Sequence, residues 1–307
     1  MTALIIVFNH AYEKNLPRLR DLYKERFSHI FFLMPFYRGQ DPDVITVSSP
    51  AHYFQGYFTQ AYDKLKNYNF DHWLVIGDDL ILNPLINETN ATEQLKLEKG
   101  GSYIPKINRF DECTKWVNAC MYLKFTLNSG FFEAGKHLPS SNDAMSKLKE
   151  LNLEPRGMNF ENVYADKPFR KKLNNRQKLA KYGPRYLKYL VQHEKTPDAL
   201  LYGDYPCCWG YSDIFMISHE SLQEFCHVCG VMAAANLFVE IAIPTAVALT
   251  TAGKISHQEN CELQGEALWR NRVPEVLDGY DNSLSRLLSE FPEGRLFLHP
   301  VKLSQWR

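Results

Sequence analysis

The sequence lacks an excess of charge of either sign. Its Lys and Arg residues total 35, its Asp and Glu residues also total 35, and the formal net charge is zero. Proteins that bind nucleic acid usually carry a basic surface that neutralises phosphates. The balanced charge therefore gives no reason to expect a nucleic-acid partner, and any electrostatic function must come from local clusters of charge.

Cysteines are also few, seven in 307 residues. An odd number in a chain of this length does not fit the disulfide framework of a secreted protein, so we expect reduced thiols. Cys226 and Cys229 have the spacing of a zinc motif, but they stand in a helical pattern and no second pair with this spacing exists. Cys207 and Cys208 are adjacent in sequence. We interpret these thiols as buried free cysteines.

Signals for export or membrane insertion are missing as well. The N-terminus, MTALIIVFNH, enters an apolar run without a basic leader, so we interpret it as structure rather than a targeting signal. The apolar stretch over residues 231–252 is long enough to span a membrane, but Asn236, Glu240 and Pro244 interrupt it. It predicts a buried helix, and we expect a cytoplasmic protein.

Strand and helix patterns alternate through the first hundred residues. Apolar runs predict strands at residues 4–8, 29–34, 44–47 and 73–76, and spaced apolar residues predict helices at 13–27 and 53–68. This alternation predicts an α/β fold with a mainly parallel sheet flanked by helices. We divide the chain into an α/β half at 1–150, a basic helical insertion at 151–200 and a second half at 201–307.

Two adjacent carboxylates end the fourth predicted strand, in the stretch HWLVIGDDLILNP. Ligands of parallel sheets bind beyond the carboxyl ends of the strands, which is where Asp78 and Asp79 stand. Carboxylates there can supply the oxygen ligands that Mg²⁺ or Mn²⁺ prefers. The alternative is a pair of acids that caps a turn through backbone N–H groups.

The order of an N-terminal α/β half, an acidic strand end and a later acceptor half resembles the GT-A-fold nucleotide-sugar glycosyltransferases of bacterial cell-surface glycan synthesis. The triplet Gly77-Asp78-Asp79 matches the DxD motif of that Rossmann-related fold, with glycine in place of the first acid. The resemblance implies that Asp79 binds Mn²⁺ or Mg²⁺ directly, and that Asp78 touches the ribose or reaches the ion through water. It also implies a nucleotide-sugar donor, with a UDP-sugar as first choice, and a glycan or lipid-linked acceptor.

The C-terminal stretch RLFLHPVK adds to this resemblance. Several metal-dependent members bring a late His to the cation and a nearby Lys to the diphosphate, which implies these roles for His299 and Lys302. The chemistry is coherent, because neutral imidazole can bind Mn²⁺ and an ammonium offsets charge on a departing diphosphate. The alternative for His299 is a structural residue that precedes a proline.

Four further residues are candidates for donor and acceptor binding. Asn9 and His10 end the first strand and are placed to meet the nucleotide, or else they shape a turn. In YPCCWGYSDIFMI, Asp213 at a strand start is the candidate for a sugar-hydroxyl contact, or turn amides satisfy it. Glu240 lies in an apolar segment, where desolvation would suit it to act as a catalytic base. A structural ion pair is the equal alternative for Glu240, so the stereochemical outcome stays open.

The middle of the chain is locally basic. Residues 167–188 contain nine basic residues and no acidic one, and a single acid, Asp166, directly precedes them. The basic residues are Lys167, Arg170, Lys171, Lys172, Arg176, Lys178, Lys181, Arg185 and Lys188. Such a run is usually a solvated helical face. Near a glycosyltransferase site it can instead hold an anionic acceptor, or bind the inner-membrane surface peripherally to reach a lipid-linked acceptor.

Two other classes of function remain open from the sequence. A nucleotidyltransferase acting on sugar phosphates also uses carboxylates and a metal at a sheet edge. It usually has a Gly-rich basic loop after the first strand, and VFNHAYEKN lacks one. A non-catalytic binding protein would need no metal site.

Overall fold

The computed structural model describes residues 1–112, 135–154, 205–268 and 272–307. The strands of this part, β1 to β12 in chain order, are Thr2–Val7, Ile30–Pro35, Val44–Val47, His72–Gly77, Ile81–Leu82, Ser102–Tyr103, Ile107–Arg109, Cys208–Gly210, Ile214–Ser218, Ile255–Ser256, Gln264–Ala267 and Arg295–His299. The α-helices, α1 to α8, are Leu16–Tyr23, Gln55–Leu65, Ala91–Gln94, Ser141–Glu150, His219–Ala234, Val239–Thr250, Arg272–Leu277 and Leu284–Ser289. The basic stretch at 167–188 lies outside the described residues.

A seven-stranded sheet in the order β10-β6-β9-β4-β1-β2-β3 forms the centre of the fold. The strands β3, β2, β1 and β4 pair in parallel, and so do β10 and β6. Strand β9 runs antiparallel to both of its neighbours, β4 and β6. The prediction of an α/β fold with a mainly parallel sheet flanked by helices is thus confirmed, and the second half of the chain adds strands to the sheet of the first.

Alternating side chains bury both faces of this sheet. Ile5, Trp73 and Phe215 belong to the core on the face covered by α2 and α5, whereas Leu4 and Leu74 belong to the core on the opposite face. The helices α2 and α5 cross so closely that a Cβ at Gly230 would collide with Thr59. Glycine, which has no Cβ, allows this approach. A central strand that is apolar on both faces reads as a continuous apolar run. This explains why the runs before residue 77 were recognisable as strands.

A small second sheet, β11-β12-β5, carries the C-terminal part of the chain to the end of β4. Strand β12 pairs in parallel with β11 and antiparallel with β5. Strand β5 follows the turn after β4, so the pairing sets β12 beside the acidic pair. Arg18 of α1 donates hydrogen bonds to the carbonyls of Leu303 and Trp306, which fixes the residues that follow β12.

The prediction of one buried helix over residues 231–252 is wrong. Helix α5 ends at Ala234, and α6 begins only at Val239. Asn236 between them has a left-handed φ of 58°. The N–H of Asn236 donates to Ala233 O, and that of Leu237 donates to Met232 O, a pattern that closes a helix C-terminus. Asparagine tolerates the left-handed conformation, so the chain turns there although its neighbours are apolar.

Candidate functional site

The turn after β4 holds Asp78 and Asp79 at the carboxyl edge of the parallel strands. The backbone N–H of Asp78 donates to Val7 O at 2.9 Å, which ties the turn to the end of β1. Asp78 is 9% exposed, whereas the side chain of Asp79 is 28% exposed. The two acids therefore differ, because Asp78 is enclosed by the fold and Asp79 faces the open edge.

Asp213 reaches the same edge because β9 is antiparallel to β4. Their register pairs Ile214 with Ile76, so Asp213, the residue before β9, lies beside Gly77, the last residue of β4. The backbone confirms this placement, since Gly77 N–H donates to Asp213 O at 2.9 Å. A parallel strand would have placed its C-terminal end here instead. Antiparallel pairing thus brings a third carboxylate to the acidic pair.

His299, the last residue of β12, completes the cluster. Its position is fixed by Val301 N–H, which donates to Asp79 O at 2.7 Å. The ring atom Nε2 lies 3.0 Å from Asp79 Oδ1, and Nδ1 lies 4.0 Å from Asp213 Oδ2. The structure therefore brings together three of the predicted site residues, Asp79, Asp213 and His299, from three distant segments of the chain.

Tyr211 belongs to this cluster, although no pattern in the sequence predicted it. Its hydroxyl lies 2.7 Å from His299 Nδ1. Its ring stacks on Phe297, with ring centres 5.8 Å apart and an interplanar angle of 4°. Tyr211 is one of several aromatic residues in the stretch YPCCWGYSD, and no local pattern distinguishes it from the others.

Burial and like charge disturb the acids of the site. The pKa of Asp78 is raised from 3.8 to about 7; burial is the largest cause, and the negative charge of Asp79 is the second largest. Burial also raises the pKa of Asp213, with His299 opposing and with Asp79 and Glu240 adding to the shift. For His299, burial lowers the pKa, but the contact with Asp79 and the charge of Asp213 outweigh it and raise the pKa overall. Without a cation, the folded site therefore retains protons.

The donor set fits a divalent cation shared by two side chains. Among the described residues, Asp79 Oδ1 is buried and has no hydrogen bond of regular geometry, and His299 Nε2 lies 3.0 Å from it. Within the described ranges, no group of three or more His, Cys, Asp or Glu side chains is arranged to hold a metal ion. Mg²⁺ and Mn²⁺ commonly keep positions for water and substrate phosphates. Asp79 and His299 are thus two side chains of the types that bind such cations, and further ligands would have to come from outside the protein.

The other residues predicted to bind the nucleotide-sugar donor lie near this edge and differ in their exposure to solvent. Asn9 N–H lies 3.4 Å from Asp78 Oδ1, so Asp78 contacts the loop that follows β1. His10 is exposed on that loop. Lys302, after β12, is exposed and makes no ion pair with any residue that the structure describes.

Phe36 follows β2, where it is 60% exposed and has a left-handed φ of 55°. No pattern in the sequence predicted this backbone conformation, which is uncommon for a bulky residue.

Glu240 lies in the first turn of α6 and is half-buried, so it is less enclosed than its apolar neighbours predicted. Its charge raises the pKa of both Asp213 and Tyr211. Such an effect requires that Glu240 lies near these two residues. The structure therefore adds a fourth carboxylate to the surroundings of the site.

The cysteines lie apart from this chemistry. Cys207, Cys208, Cys226, Cys229 and Cys261 are free and buried. Burial raises the pKa of Cys226 and of Cys229, and both lie in α5. For these residues the prediction of buried free thiols is confirmed.

The cluster of Asp79, His299, Asp213 and Tyr211 therefore joins carboxylate oxygens, an imidazole and a phenol at one edge of the sheet. Such a set can bind a cation and move or hold protons. None of the helices in the described part of the chain combines the length and the apolar character needed to cross a membrane. Comparisons with protein families, with curated proteins and with solved structures found no match for this chain.

Proposed function

We propose that this protein is a metal-dependent glycosyltransferase of the GT-A type. It would move a sugar from a nucleotide-diphosphate donor, with a UDP-sugar as first choice, to a glycan or lipid-linked acceptor. The meeting of His299 Nε2 and Asp79 Oδ1, 3.0 Å apart at the carboxyl edge of the sheet, carries this proposal. Parallel sheets bind their ligands at that edge.

The position of the pair favours binding over a purely structural role. An ion pair that only supports a core is better enclosed and saturated with hydrogen bonds. Here the Asp79 side chain is 28% exposed, and Asp213 Oδ2 lies 4.0 Å from the other ring nitrogen of His299. The cluster therefore contains more carboxyl groups than one imidazolium can neutralise once they ionise, and a bound cation would favour their ionised form.

Asp79 and His299 would hold the cation, which would act as a Lewis acid on the negative charge that develops on the departing diphosphate. The exposed ammonium of Lys302 would offset part of the same charge. Arg18 holds the carbonyls of Leu303 and Trp306, and so limits the movement of the segment that begins with Lys302. A fixed cation stabilises developing charge without a cost of reorganisation.

The nucleotide would lie over the ends of β1 and β4. Asp78 contacts the backbone of Asn9 and so orders the loop that presents Asn9 and His10. Because the pKa of Asp78 is raised to about 7, this carboxyl is largely protonated in mildly acidic solution and adds little charge against the diphosphate. Asp78 would thus shape the nucleotide site, whereas Asp79 would supply the charge.

The acceptor would approach from the side of Asp213 and Glu240. We assign Glu240 as the base that takes the proton of the acceptor hydroxyl while the oxygen bonds to the anomeric carbon and the bond to the diphosphate breaks. This role belongs to an inverting reaction. Asp213 would accept a hydrogen bond from a sugar hydroxyl. The effect of the Glu240 charge on the pKa of Asp213 supports a common location.

A donor screen tests the proposal. Purified protein is incubated with a panel of nucleotide sugars with and without Mn²⁺, and release of the nucleoside diphosphate is measured. We expect metal-dependent release from at least one donor and its loss in Asp79→Asn. Asp63→Asn is the matched control, because Asp63 is an exposed acid on α2.

Release of the nucleoside diphosphate that depends neither on the metal nor on Asp79 would contradict the proposal. Pyrophosphate release from a nucleoside triphosphate and a sugar phosphate would assign the protein to the nucleotidyltransferases instead. Nucleotide binding without turnover of any donor or triphosphate would favour a non-catalytic binding protein.

A further inference from the structure

Tyr211 is held rigidly against the strand that carries His299. Its ring lies parallel to that of Phe297, at an interplanar angle of 4°, and meets His299 edge-on with ring centres 5.9 Å apart. Phe297 and His299 both belong to β12. Stacking therefore orients the tyrosine ring, and its hydroxyl reaches His299 Nδ1 at 2.7 Å.

Two groups lie near His299 Nδ1, and their distances differ. The Tyr211 hydroxyl lies within hydrogen-bond distance of this nitrogen, whereas Asp213 Oδ2, at 4.0 Å, does not. The phenol oxygen can accept the N–H of His299 Nδ1. This arrangement leaves Nε2 as the nitrogen that faces Asp79 Oδ1.

We propose that Tyr211 is a positioning residue that acts through His299: it holds Nδ1 and directs Nε2 at the cation site beside Asp79. This inference rests on the proposed function, because it assigns how the cation ligand is oriented. A ligating histidine usually gives its second ring nitrogen to an acceptor that fixes the ring and its tautomer. Here the acceptor would be the phenol of Tyr211, whose ring is held by its stacking on Phe297.

Tyr211→Phe tests the role of the hydroxyl, because phenylalanine keeps the stacked ring. We expect the affinity for Mn²⁺, measured by calorimetry, to fall by about tenfold. Tyr280→Phe is the matched control, since the Tyr280 hydroxyl bonds only to Glu290 O, at 3.2 Å, among its described contacts. The control should bind Mn²⁺ like the wild type.

A double-mutant cycle separates action through His299 from a general structural effect. In a His299→Ala background, Tyr211→Phe should cause no further loss of Mn²⁺ affinity, because its only route to the cation is gone. An equal loss with and without His299 would overturn the inference.

A readout without metal keeps this inference distinct from the proposed function. Nitrogen NMR of the metal-free protein should show that the His299 Nδ1 resonance moves in Tyr211→Phe and stays in place in Tyr280→Phe. An unmoved Nδ1 resonance would overturn the role of Tyr211. A wild-type protein that binds no Mn²⁺, with a shifted resonance, would instead remove the metal site and leave Tyr211 as the partner that orients His299.

Discussion

Replacement of Asp78 by asparagine should change how the stability of the metal-free protein depends on pH. The pKa of Asp78 is 3.8 in its ordinary state and about 7 in the folded protein, chiefly because the carboxyl is buried. A group whose pKa is raised on folding binds its proton more tightly in the folded state. Its contribution to stability is therefore complete at low pH and is lost as the pH rises through the folded pKa.

The size of the effect follows from these two values. The difference between 3.8 and about 7, at about 1.4 kcal/mol per pH unit, corresponds to about 4 kcal/mol over the whole titration. Between about pH 5 and about pH 8, the loss assigned to Asp78 is about 2–3 kcal/mol. The raised pKa values of His299 and Asp213 act in the same direction. The wild type should thus become less stable across this range.

Urea unfolding at a series of pH values, without divalent metal, measures this dependence. Asp78→Asn keeps the shape of the side chain but cannot ionise, so its stability should fall less steeply with pH, and near pH 8 it should exceed the wild type by about 4 kcal/mol. Asp63→Asn, an exposed control, should follow the wild type. Equal slopes for Asp78→Asn and the wild type would show that Asp78 is not the buried, proton-retaining acid described above.

Three other predictions concern separate parts of the molecule. Glu240→Gln should slow sugar transfer by at least about 100-fold in kcat with little change in donor KM, and an unchanged kcat would remove the base. Phe36→Gly should be more stable than Phe36→Ala by about 1 kcal/mol in urea unfolding, because only glycine adopts φ of 55° without strain; equal stability would refute strain. Replacing Arg170, Lys171 and Lys172 by glutamine should weaken binding to anionic liposomes, and a wild type that ignores such liposomes would exclude membrane contact.

Apolar runs in the sequence were enough to place two strands of the parallel part of the sheet. The prediction at 44–47 has the bounds of the observed edge strand Val44–Val47, and the prediction at 73–76 lies within the central strand His72–Gly77. Residues 73–76 are apolar and buried on both faces of the sheet, so their signal does not depend on knowing which face is buried. The position of Asp78 and Asp79 at the sheet edge followed from the same reasoning.

Tertiary pairing decided the features that the sequence did not reveal. The antiparallel direction of β9, which brings Asp213 to Gly77, depends on long-range pairing and leaves no local pattern. Tyr211 became visible only through its contact with His299. The break at Asn236 was missed because the surrounding apolar residues continue the helical pattern on both sides.

We propose above that Asp79 and His299 hold one cation and that a nucleoside diphosphate completes the coordination of this cation. The most direct test is calorimetric titration of UDP with and without Mn²⁺, in wild type, Asp79→Asn and His299→Ala. We expect Mn²⁺ to strengthen UDP binding to the wild type, and each substitution to lower the affinity measured with Mn²⁺ by about tenfold or more. UDP binding by the wild type that does not change with Mn²⁺, or a Mn²⁺ effect that survives both substitutions, would contradict it.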